Sequence, residues 1–490
     1  MYYIILSILF PVLSGVYLLV RKEMKSRKNL LWTMGVFLVI TAALVVLVLC
    51  TPQEGLMTLF NLTERLPILF KVDEVSVVFS VMAVVIFLCA GFFSFEYMKH
   101  EEKEKRYYGF YLIVLGILLA LCFAGNLITF YLFFEMLTLA SMPLVLHSGS
   151  REAIMAGLKY LFYSLSGAYM ALFGLYFVET YGNTLTFSPG GVISTQAAAE
   201  HGAILLGIAF AMLIGFGVKA GMFPMHAWLP AAHPVAPAPA SAVLSAVIVK
   251  AGVLAIVRVV YYIFGASFLR GTWVQKAWMV LTLITILMGS MLAYREPVLK
   301  KRLAYSTISQ VSYILFGLSL MNRDALTGSF LHVLCHGFIK AALFLSAGAI
   351  IYRTGKTRVE QLRGIGKEMP VLMWCYTILS LGLIGIPPMC GFVSKWYLAE
   401  GALSCGIAGF NWIGPVILLL SALLTAGYLL PITLQGFFPG ADYDYGALKK
   451  KEPSWLMTVP VLVLTVLSVV IGLFPGGLIQ YLLQMIEKIL

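Results

Sequence analysis

The chain of 490 residues is 61% hydrophobic and only 11% charged. This balance excludes a soluble globular domain, because almost any surface the chain could present to water would be apolar. The net charge of +12 is compatible with a nucleic-acid partner, but the positions of the basic residues favour another explanation and no nucleic-acid partner is predicted.

Long apolar segments follow one another along the chain. Because about 20 apolar residues in a helix span roughly 30 Å of hydrocarbon, we predict an all-α polytopic membrane protein with about fourteen transmembrane helices. The predicted spans are residues 2–20, 30–50, 73–98, 107–124, 126–146, 153–180, 200–222, 238–262, 273–294, 299–321, 325–353, 370–399, 409–439 and 454–474.

Basic residues are concentrated in alternate loops between these spans. The loops on the basic side are 21–28, 99–106, the loop that contains Arg151, 295–302, 353–367 and 449–451. Because Lys and Arg are retained on the cytoplasmic side, this alternation predicts that both termini face outside. We expect the protein to be embedded in a prokaryotic cell membrane.

No linker rich in Pro, Gly or Ser divides the chain, so residues 1–490 are predicted to form a single membrane domain. Its predicted parts are the N-terminal helices 1–98, a first five-helix repeat at 107–262, an inverted second repeat at 273–439, and a last helix with a short amphipathic tail at 454–490.

Two predicted spans are interrupted by proline. The seventh approaches Pro224, and the twelfth contains Pro387 and Pro388. Proline lacks an N–H and clashes with the preceding turn, so both helices are expected to kink or unwind. Matched breaks in two inverted repeats are typical of an ion path, although simple adjustment of packing is the alternative.

Five ionisable residues interrupt apolar spans: Glu135, Lys219, Lys250, Lys340 and Lys395. A charge at mid-membrane costs roughly 2.5–3.5 kcal/mol on insertion scales, so each is predicted to be functional. A structural ion pair is the alternative for Glu135. Since a desolvated lysine gives up its proton more readily than an arginine, we predict a buried chain of groups that carries protons.

Span eleven carries His332, His336 and Lys340 at i, i+4 spacing, which forms a polar stripe about 12 Å long at 1.5 Å per residue. Histidine titrates near neutrality, so the stripe is predicted to relay protons, with histidines satisfied by packing as the alternative. No metal site is predicted, because no HExxH motif and no third ligand accompany the histidines.

His226 and His233 flank the break after span seven. They are predicted either to form an inner entrance for protons or to hydrogen-bond the carbonyls that the break leaves free.

The sequence contains no P-loop, no haem-type CxxCH motif and no cysteine cluster for iron–sulfur ligation. We therefore predict no cofactor and no redox catalysis in this chain. An ion-translocating subunit of an oxidoreductase or antiporter complex fits these features. A stand-alone secondary transporter for a small solute is the alternative.

Several motifs together resemble the antiporter-like subunits of the complex I superfamily: the glutamate of span five, the HxxxHxxxK stripe, GIPPMCGFVSKWYL and KAGMFPMHAWLPAAHPVAPAPASAVLSAVIVKAG. These subunits occur in NADH dehydrogenases, Mrp-type Na⁺/H⁺ antiporters and energy-converting membrane hydrogenases. The resemblance implies fourteen helices in inverted repeats, with helices seven and twelve broken. It also implies homologous antiporter-like subunits and small membrane subunits as partners, with H⁺ and in some complexes Na⁺ as the transported ions.

The resemblance further implies a role for each matching residue. Glu135 is similar to a coupling glutamate that pairs with the lysine of helix seven, here Lys219. Lys250 is similar to the central lysine and Lys395 to the outlet residue, and the stripe on span eleven connects them. Ala231 departs from family members that carry an acid after WLP, which leaves the polarity of the inner entrance open.

Overall fold

The computed structural model describes residues 2–22, 26–51, 55–63, 66–440, 443–444 and 450–490. Lys25 and Lys449 of the predicted basic loops lie outside these residues. The helices are α1 Tyr2–Val20, α2 Arg27–Cys50, α3 Glu74–Tyr97, α4 Glu104–Cys122, α5 Leu127–Val145, α6 Arg151–Tyr181, α7 Thr195–Ala220, α8 Leu229–Val235, α9 Ala238–Val243, α10 Val249–Val257, α11 Ala266–Leu269, α12 Trp273–Arg295, α13 Leu299–Leu320, α14 Arg323–Thr354, α15 Ile365–Glu368, α16 Pro370–Ile384, α17 Cys390–Leu403, α18 Phe410–Phe437, α19 Trp455–Leu473 and α20 Gly476–Ile489.

Thirteen helices in the described part of the chain are long and apolar enough to cross a membrane, which confirms the all-α polytopic prediction. One of them is a continuous helix over Ala238–Phe264. Within it, the π-helical turn Leu244–Ile248 joins α9 to α10, and a second π-helical turn, Arg258–Phe264, follows α10. The predicted twelfth span is divided between α16 and α17. The count of fourteen and the inverted repeats stay predictions.

The predicted breaks coincide with glycines at the ends of two helices. Gly221, with φ of 74°, follows α7. Gly385, with φ of 93°, follows α16. A positive φ suits glycine because it has no Cβ to clash, so each helix ends at these residues before its proline. The chain resumes as α8 at Leu229 and as α17 at Cys390.

Three elements form the buried centre of the molecule. Every residue in the most apolar 18-residue stretch of the Ala238–Phe264 helix is buried, and 94% of the residues are buried in the corresponding stretches of α13 and α14. In contrast, only 28% of the residues are buried in that stretch of α2 and only 33% in that of α18. The outer helices therefore present apolar side chains to lipid or to partners, and a dry core encloses the polar residues of the three central elements.

A two-stranded antiparallel hairpin between α2 and α3, absent from the sequence-based prediction, consists of β1 Met57–Thr63 and β2 Leu66–Phe70. Most of β1 is exposed. Phe70 forms an isolated bridge to Ala124, which joins the hairpin to the end of α4.

A bidentate ion pair joins α3 to the Ala238–Phe264 helix. The Arg258 guanidinium donates to both carboxylate oxygens of Asp73, at 2.5 and 2.9 Å. Asp73 also accepts from the Ser76 N–H, which caps α3. Burial alone would raise the pKa of Asp73, but the charge and hydrogen bonds of Arg258 and the bond from Ser76 hold it below its usual value. The two helices are thereby clamped at one end.

Removing one partner of this clamp is expected to destabilise the fold. Asp73→Asn should lower the free energy of unfolding by about 3–5 kcal/mol, because Arg258 would remain buried without its counter-charge. Thermal unfolding in detergent measures the effect. Glu74→Gln is the matched control, since Glu74 bonds Lys488 at the exposed surface.

The same clamp predicts a pH dependence. Because the pKa of Asp73 is depressed on folding, its contribution is present above the unfolded value of 3.8 and is lost as the pH falls through the folded value. The melting temperature of wild type should therefore converge on that of Asp73→Asn in strong acid. A difference that stays constant at every pH would contradict this account.

Candidate functional site

The ionisable residues predicted from the sequence fall into a buried group and a boundary group. Lys219, Lys250, His332, His336 and Lys340 are each at most 1% exposed. Glu135 and Lys395 are half-buried. The first group therefore lies in the dry core, and the other two residues lie where the core meets its surroundings.

Lys219 lies in the last turn of α7, just before the break. Its Nζ donates to the Thr138 Oγ1 on α5 at 2.5 Å and lies 4.7 Å from the centroid of the Phe134 ring. The hydroxyl and the aromatic face both stabilise an ammonium group. α5 therefore supplies a hydroxyl and a ring to Lys219, and the Tyr160 ring of α6 lies 5.7 Å from the same amine.

Glu135 and Lys219 interact electrostatically but form no ion pair within 4.0 Å, as judged from the described residues. Glu135 instead accepts from the Tyr131 hydroxyl at 3.4 Å. Thr138, which bonds Lys219, lies about one turn from Glu135 on α5. The direct pairing implied by the resemblance stays a prediction: in this structure Lys219 bonds Thr138, and Glu135 accepts from Tyr131.

Lys250 is connected to Lys340 through α13. The Lys250 Nζ donates to the Ser245 carbonyl at 2.8 Å, within the π-helical turn. The Ser245 and Thr307 hydroxyls are 2.7 Å apart, and Thr307 donates to the Leu303 carbonyl at 3.0 Å. The Lys340 Nζ donates to that same carbonyl at 3.1 Å. These bonds form one network, which we call the central network.

The stripe on α14 continues from Lys340 towards α17. The rings of His332 and His336 stack with centroids 5.8 Å apart, and His332 also stacks on Tyr313 at 5.7 Å. The His332 Nδ1 is 2.9 Å from the Ser394 Oγ, one residue before Lys395. The stripe therefore reaches the second helix break through stacked rings and the contact between His332 and Ser394.

Lys395 bonds the end of the broken helix itself. Its Nζ donates to the carbonyls of Leu383 at 2.7 Å and Ile384 at 2.9 Å, the last residues of α16. Unpaired carbonyls at a helix C-terminus attract a cation. The Nζ also lies 5.0 Å from the centroid of the Tyr313 ring. Lys395 and His332 therefore share Tyr313 as a neighbour.

The two histidines beside the first break occupy different surroundings. His233 on α8 is fully buried and stacks on Phe344 of α14, with centroids 4.7 Å apart. His226 lies between α7 and α8, is half-buried, and stacks on Phe223 at 6.1 Å. Only His233 is packed against the central helices.

Several polar residues of the site were missed from the sequence: Thr138, Ser245, Thr307, Tyr313 and Ser394. One signal was available, because span 299–321 is unusually rich in Ser, Thr and Gln for a transmembrane helix. Among the described residues, no three His, Cys, Asp or Glu side chains are grouped so as to hold a metal ion.

Comparison with known proteins identifies the family. A family model described as the transmembrane region of NADH:quinone oxidoreductase and Mrp antiporters matches residues 124–441. A second, described as the N-terminus of chain 5 of NADH-ubiquinone oxidoreductase (complex I), matches residues 62–108. The chain belongs to the NADH:quinone oxidoreductase/Mrp antiporter family. It is therefore a polytopic membrane protein.

Individual family members resemble the chain over most of its length. NADH-quinone oxidoreductase subunit N of Desulforudis audaxviator is 33% identical over 394 residues, which cover 78% of this chain and 77% of that protein. A Na⁺/H⁺ antiporter subunit of Alkalihalophilus pseudofirmus is 27% identical, and the match covers 99% of this chain and 97% of that protein.

The family fold is also found among solved structures. A chain of the membrane-bound sulfane sulfur reductase, an archaeal respiratory membrane complex, superposes with a TM-score of 0.87 at 22% identity, covering 99% of this chain and 97% of that one. At this level of identity the likeness establishes the fold alone.

The contact between Lys219 and Thr138 gives a stability prediction. Thr138→Val removes the hydroxyl partner of a buried amine and should lower the free energy of unfolding by about 1–3 kcal/mol. Combining it with Lys219→Met should restore most of the loss, because the unpaired donor is then gone. Thermal unfolding of the single and double variants in detergent measures the coupling.

Thr282→Val serves as the control for this cycle. Thr282 is equally buried, but its hydroxyl donates to the Met279 carbonyl of its own helix. It should show no coupling to Lys219→Met. Equal coupling for both threonines would contradict a specific contact between Thr138 and Lys219.

Proposed function

We propose that the chain is a proton-translocating membrane subunit of a larger complex. The observation that carries the proposal is the central network, in which the fully buried amines of Lys250 and Lys340 bond main-chain carbonyls on either side of the hydroxyl pair of Ser245 and Thr307. No carboxylate forms an ion pair with either amine in the described part of the chain. Holding several ammonium charges close together in a dry interior is costly in free energy. The lysines therefore share or pass on protons, and no single amine keeps one permanently.

The proposed path follows the order of the contacts. A change at Glu135 alters the electrostatic field at Lys219, and the proton held by Lys219 is then released towards Lys250. From Lys250 it passes to Lys340, which interacts electrostatically with Lys250 across the core, while the Ser245 and Leu303 carbonyls hold the two amines in place and carry no proton themselves. His336 and His332 pass it on to Lys395, which releases it beside the break between α16 and α17. At each step only N–H and O–H bonds are broken and formed.

The relatives support membership of a multi-subunit assembly. One relative is a subunit of an NADH-quinone oxidoreductase, and another is a subunit of a Na⁺/H⁺ antiporter. We infer that this chain sits beside homologous antiporter-like subunits and small membrane subunits, and that its proton movement is driven by electron transfer or coupled to Na⁺. Its own residues provide the proton path, and no cofactor is assigned to them.

We further propose a prokaryotic cell membrane as the location, with both termini outside, on the strength of the alternating basic loops. A short tag after residue 490 should then be digested by protease added to intact spheroplasts. Protection of the tag until the cells are lysed would overturn this orientation.

The main test replaces two residues of the path in the assembled complex. Lys250→Met and Glu135→Gln should each lower coupled proton transport roughly 100-fold, as expected when a positioned proton carrier is lost. Transport is measured with a pH-sensitive dye in inverted membrane vesicles. The vesicles are energised by the electron donor or the Na⁺ gradient that the co-purified subunits indicate.

Two exposed residues on neighbouring helices provide matched controls. Lys159→Met and Glu200→Gln remove the same functional groups from the surface of α6 and α7. Both should retain transport. If Lys250→Met and Glu135→Gln were as active as these controls, the proposed function would be wrong, and purification of the chain without partners would favour a stand-alone transporter.

A further inference from the structure

A groove of about 730 Å³ lies between α2 and α3 on the outer surface of the molecule. Its α2 side extends from Lys28 to Ile40, and Phe92 and Phe95 of α3 form its floor. The groove is open to the surroundings of the protein, since the Trp32 side chain on its edge is 76% exposed. We call it the α2–α3 groove, and it takes no part in the proposed proton path.

The groove is about as long as one leaflet of a bilayer is deep. Twelve residues separate Lys28 from Ile40, which is about 18 Å at a rise of 1.5 Å per residue. Half of the hydrocarbon core is about 15 Å. The groove therefore starts at the end of α2 beside the basic loops and stops near the middle of this 24-residue helix. A partner helix that crosses the membrane would contact α2 over its whole length, whereas one acyl chain needs only this part.

Aromatic rings of α3 give the groove a fixed apolar floor. The rings of Phe92 and Phe95 pack edge to face with centroids 5.3 Å apart, and Phe95 packs in the same way on Tyr108 of α4 at 6.0 Å. Gly35 of α2 faces the two phenylalanines, because a Cβ at this position would lie 3.7–3.9 Å from their rings. With no side chain at Gly35, the groove stays open between the two helices. A hydrocarbon chain can gain van der Waals contact with these rings.

An ion pair holds the end of the groove beside the basic loops. The Arg27 guanidinium donates to the two carboxylate oxygens of Glu104 at 2.9 and 2.7 Å, and to the Phe95 carbonyl at 2.5 Å. The starts of α2 and α4 and the end of α3 are thereby joined. The groove is preorganised, so a ligand that enters it does not have to order its walls.

Lys28 brings an unpaired positive charge to the same end of the groove. Its side chain is exposed, and within the described ranges no carboxylate lies within 4.0 Å of its amine. Glu104 is occupied by Arg27, and Glu96 accepts from the Tyr352 hydroxyl. Trp32 lies one turn from Lys28, and exposed tryptophan is typical of the level of lipid headgroups. An amine at this level attracts a lipid with a net negative charge more strongly than a zwitterionic lipid.

We propose that the α2–α3 groove binds one anionic phospholipid of the leaflet next to the basic loops. One acyl chain lies along Gly35 and the rings of α3, and the phosphate lies at Lys28. α2 has the smallest buried fraction among the thirteen spanning helices of the described chain, so a lipid that bridges α2 and α3 adds contacts where the protein itself supplies few. The proposal goes beyond proton translocation and does not depend on it.

The first test locates the lipid. The whole complex is reconstituted in phosphatidylcholine vesicles that contain a small fraction of phosphatidylglycerol with a diazirine at the end of one acyl chain. After irradiation, mass spectrometry of peptides should find adducts at Val39 and Ile40. Labelling should be about fivefold stronger than with a phosphatidylcholine probe of the same chain, as expected for one lysine beside an anionic headgroup.

Four variants separate the charge from the shape of the groove. Lys28→Gln should lower labelling by the phosphatidylglycerol probe to the level of the phosphatidylcholine probe. Gly35→Leu fills the groove and should lower labelling by both probes about tenfold. Gly35→Ala should be labelled like wild type, because its Cβ has room. Lys367→Gln removes an exposed amine elsewhere on the basic side and should have no effect.

Gly207→Leu is the control for the larger substitution. Gly207 lies on the exposed side of α7, with no atom within 4 Å of an added Cβ, so this change should leave the labelling of α2 unaltered. If Gly35→Leu does not fold, Lys28→Gln still decides the question, since it changes only an exposed side chain.

A second measurement uses thermal unfolding of the delipidated complex in detergent. Added phosphatidylglycerol should raise the melting temperature of wild type more than that of Gly35→Ala-matched Gly35→Leu, because only an open groove binds the lipid. Equal labelling of wild type by the two probes would show non-specific lipid contact only and would overturn the proposal. A cross-link from α2 to another subunit, with no lipid adduct, would show that a protein covers the groove and would also contradict it.

Discussion

Main-chain carbonyls bonded by lysine amines are the interaction on which the interior of this molecule depends. Lys250, Lys300, Lys340 and Lys395 each donate to such a carbonyl, at a π-helical turn, a helix break, a helix interior and a second helix break. In a dry core a freed carbonyl has no water to bond, so irregular backbone survives only where a donor is supplied. Lys250, Lys300 and Lys395 are therefore both structural caps and titratable groups, whereas Lys340 bonds a carbonyl inside α13.

This double role links protonation to backbone geometry. A charged amine forms a stronger hydrogen bond to a carbonyl than a neutral one does. When Lys395 loses its proton, its hold on Leu383 and Ile384 weakens, and the end of α16 is less firmly fixed. A proton passing along the path thus changes the stability of the segments that shape the path. This gives the chain a physical means to couple proton movement to small motions at its helix breaks.

The sequence indicated the spans, the breaks and the buried charges, because each depends on local composition: long apolar runs, proline with glycine, and single ionisable residues within them. It did not indicate the Asp73–Arg258 clamp, whose partners are 185 residues apart, or the bond from Lys219 to Thr138. These contacts depend on how helices rotate against one another. The π-helical turns around Lys250 were also missed, since they arise from packing in the core and carry no distinctive residue pattern.

Glu135, the one carboxylate of the proposed path, is like Lys395 only half-buried, with exposed Met136 and Leu139 beside it on α5. A carboxylate at this depth is poorly accommodated by lipid alone. Before the chain assembles with other subunits, this carboxylate therefore faces lipid at a cost in free energy. A subunit that covers α5 would remove that cost. The residue that starts the proton path would in this way also distinguish assembled from orphaned subunits during biogenesis.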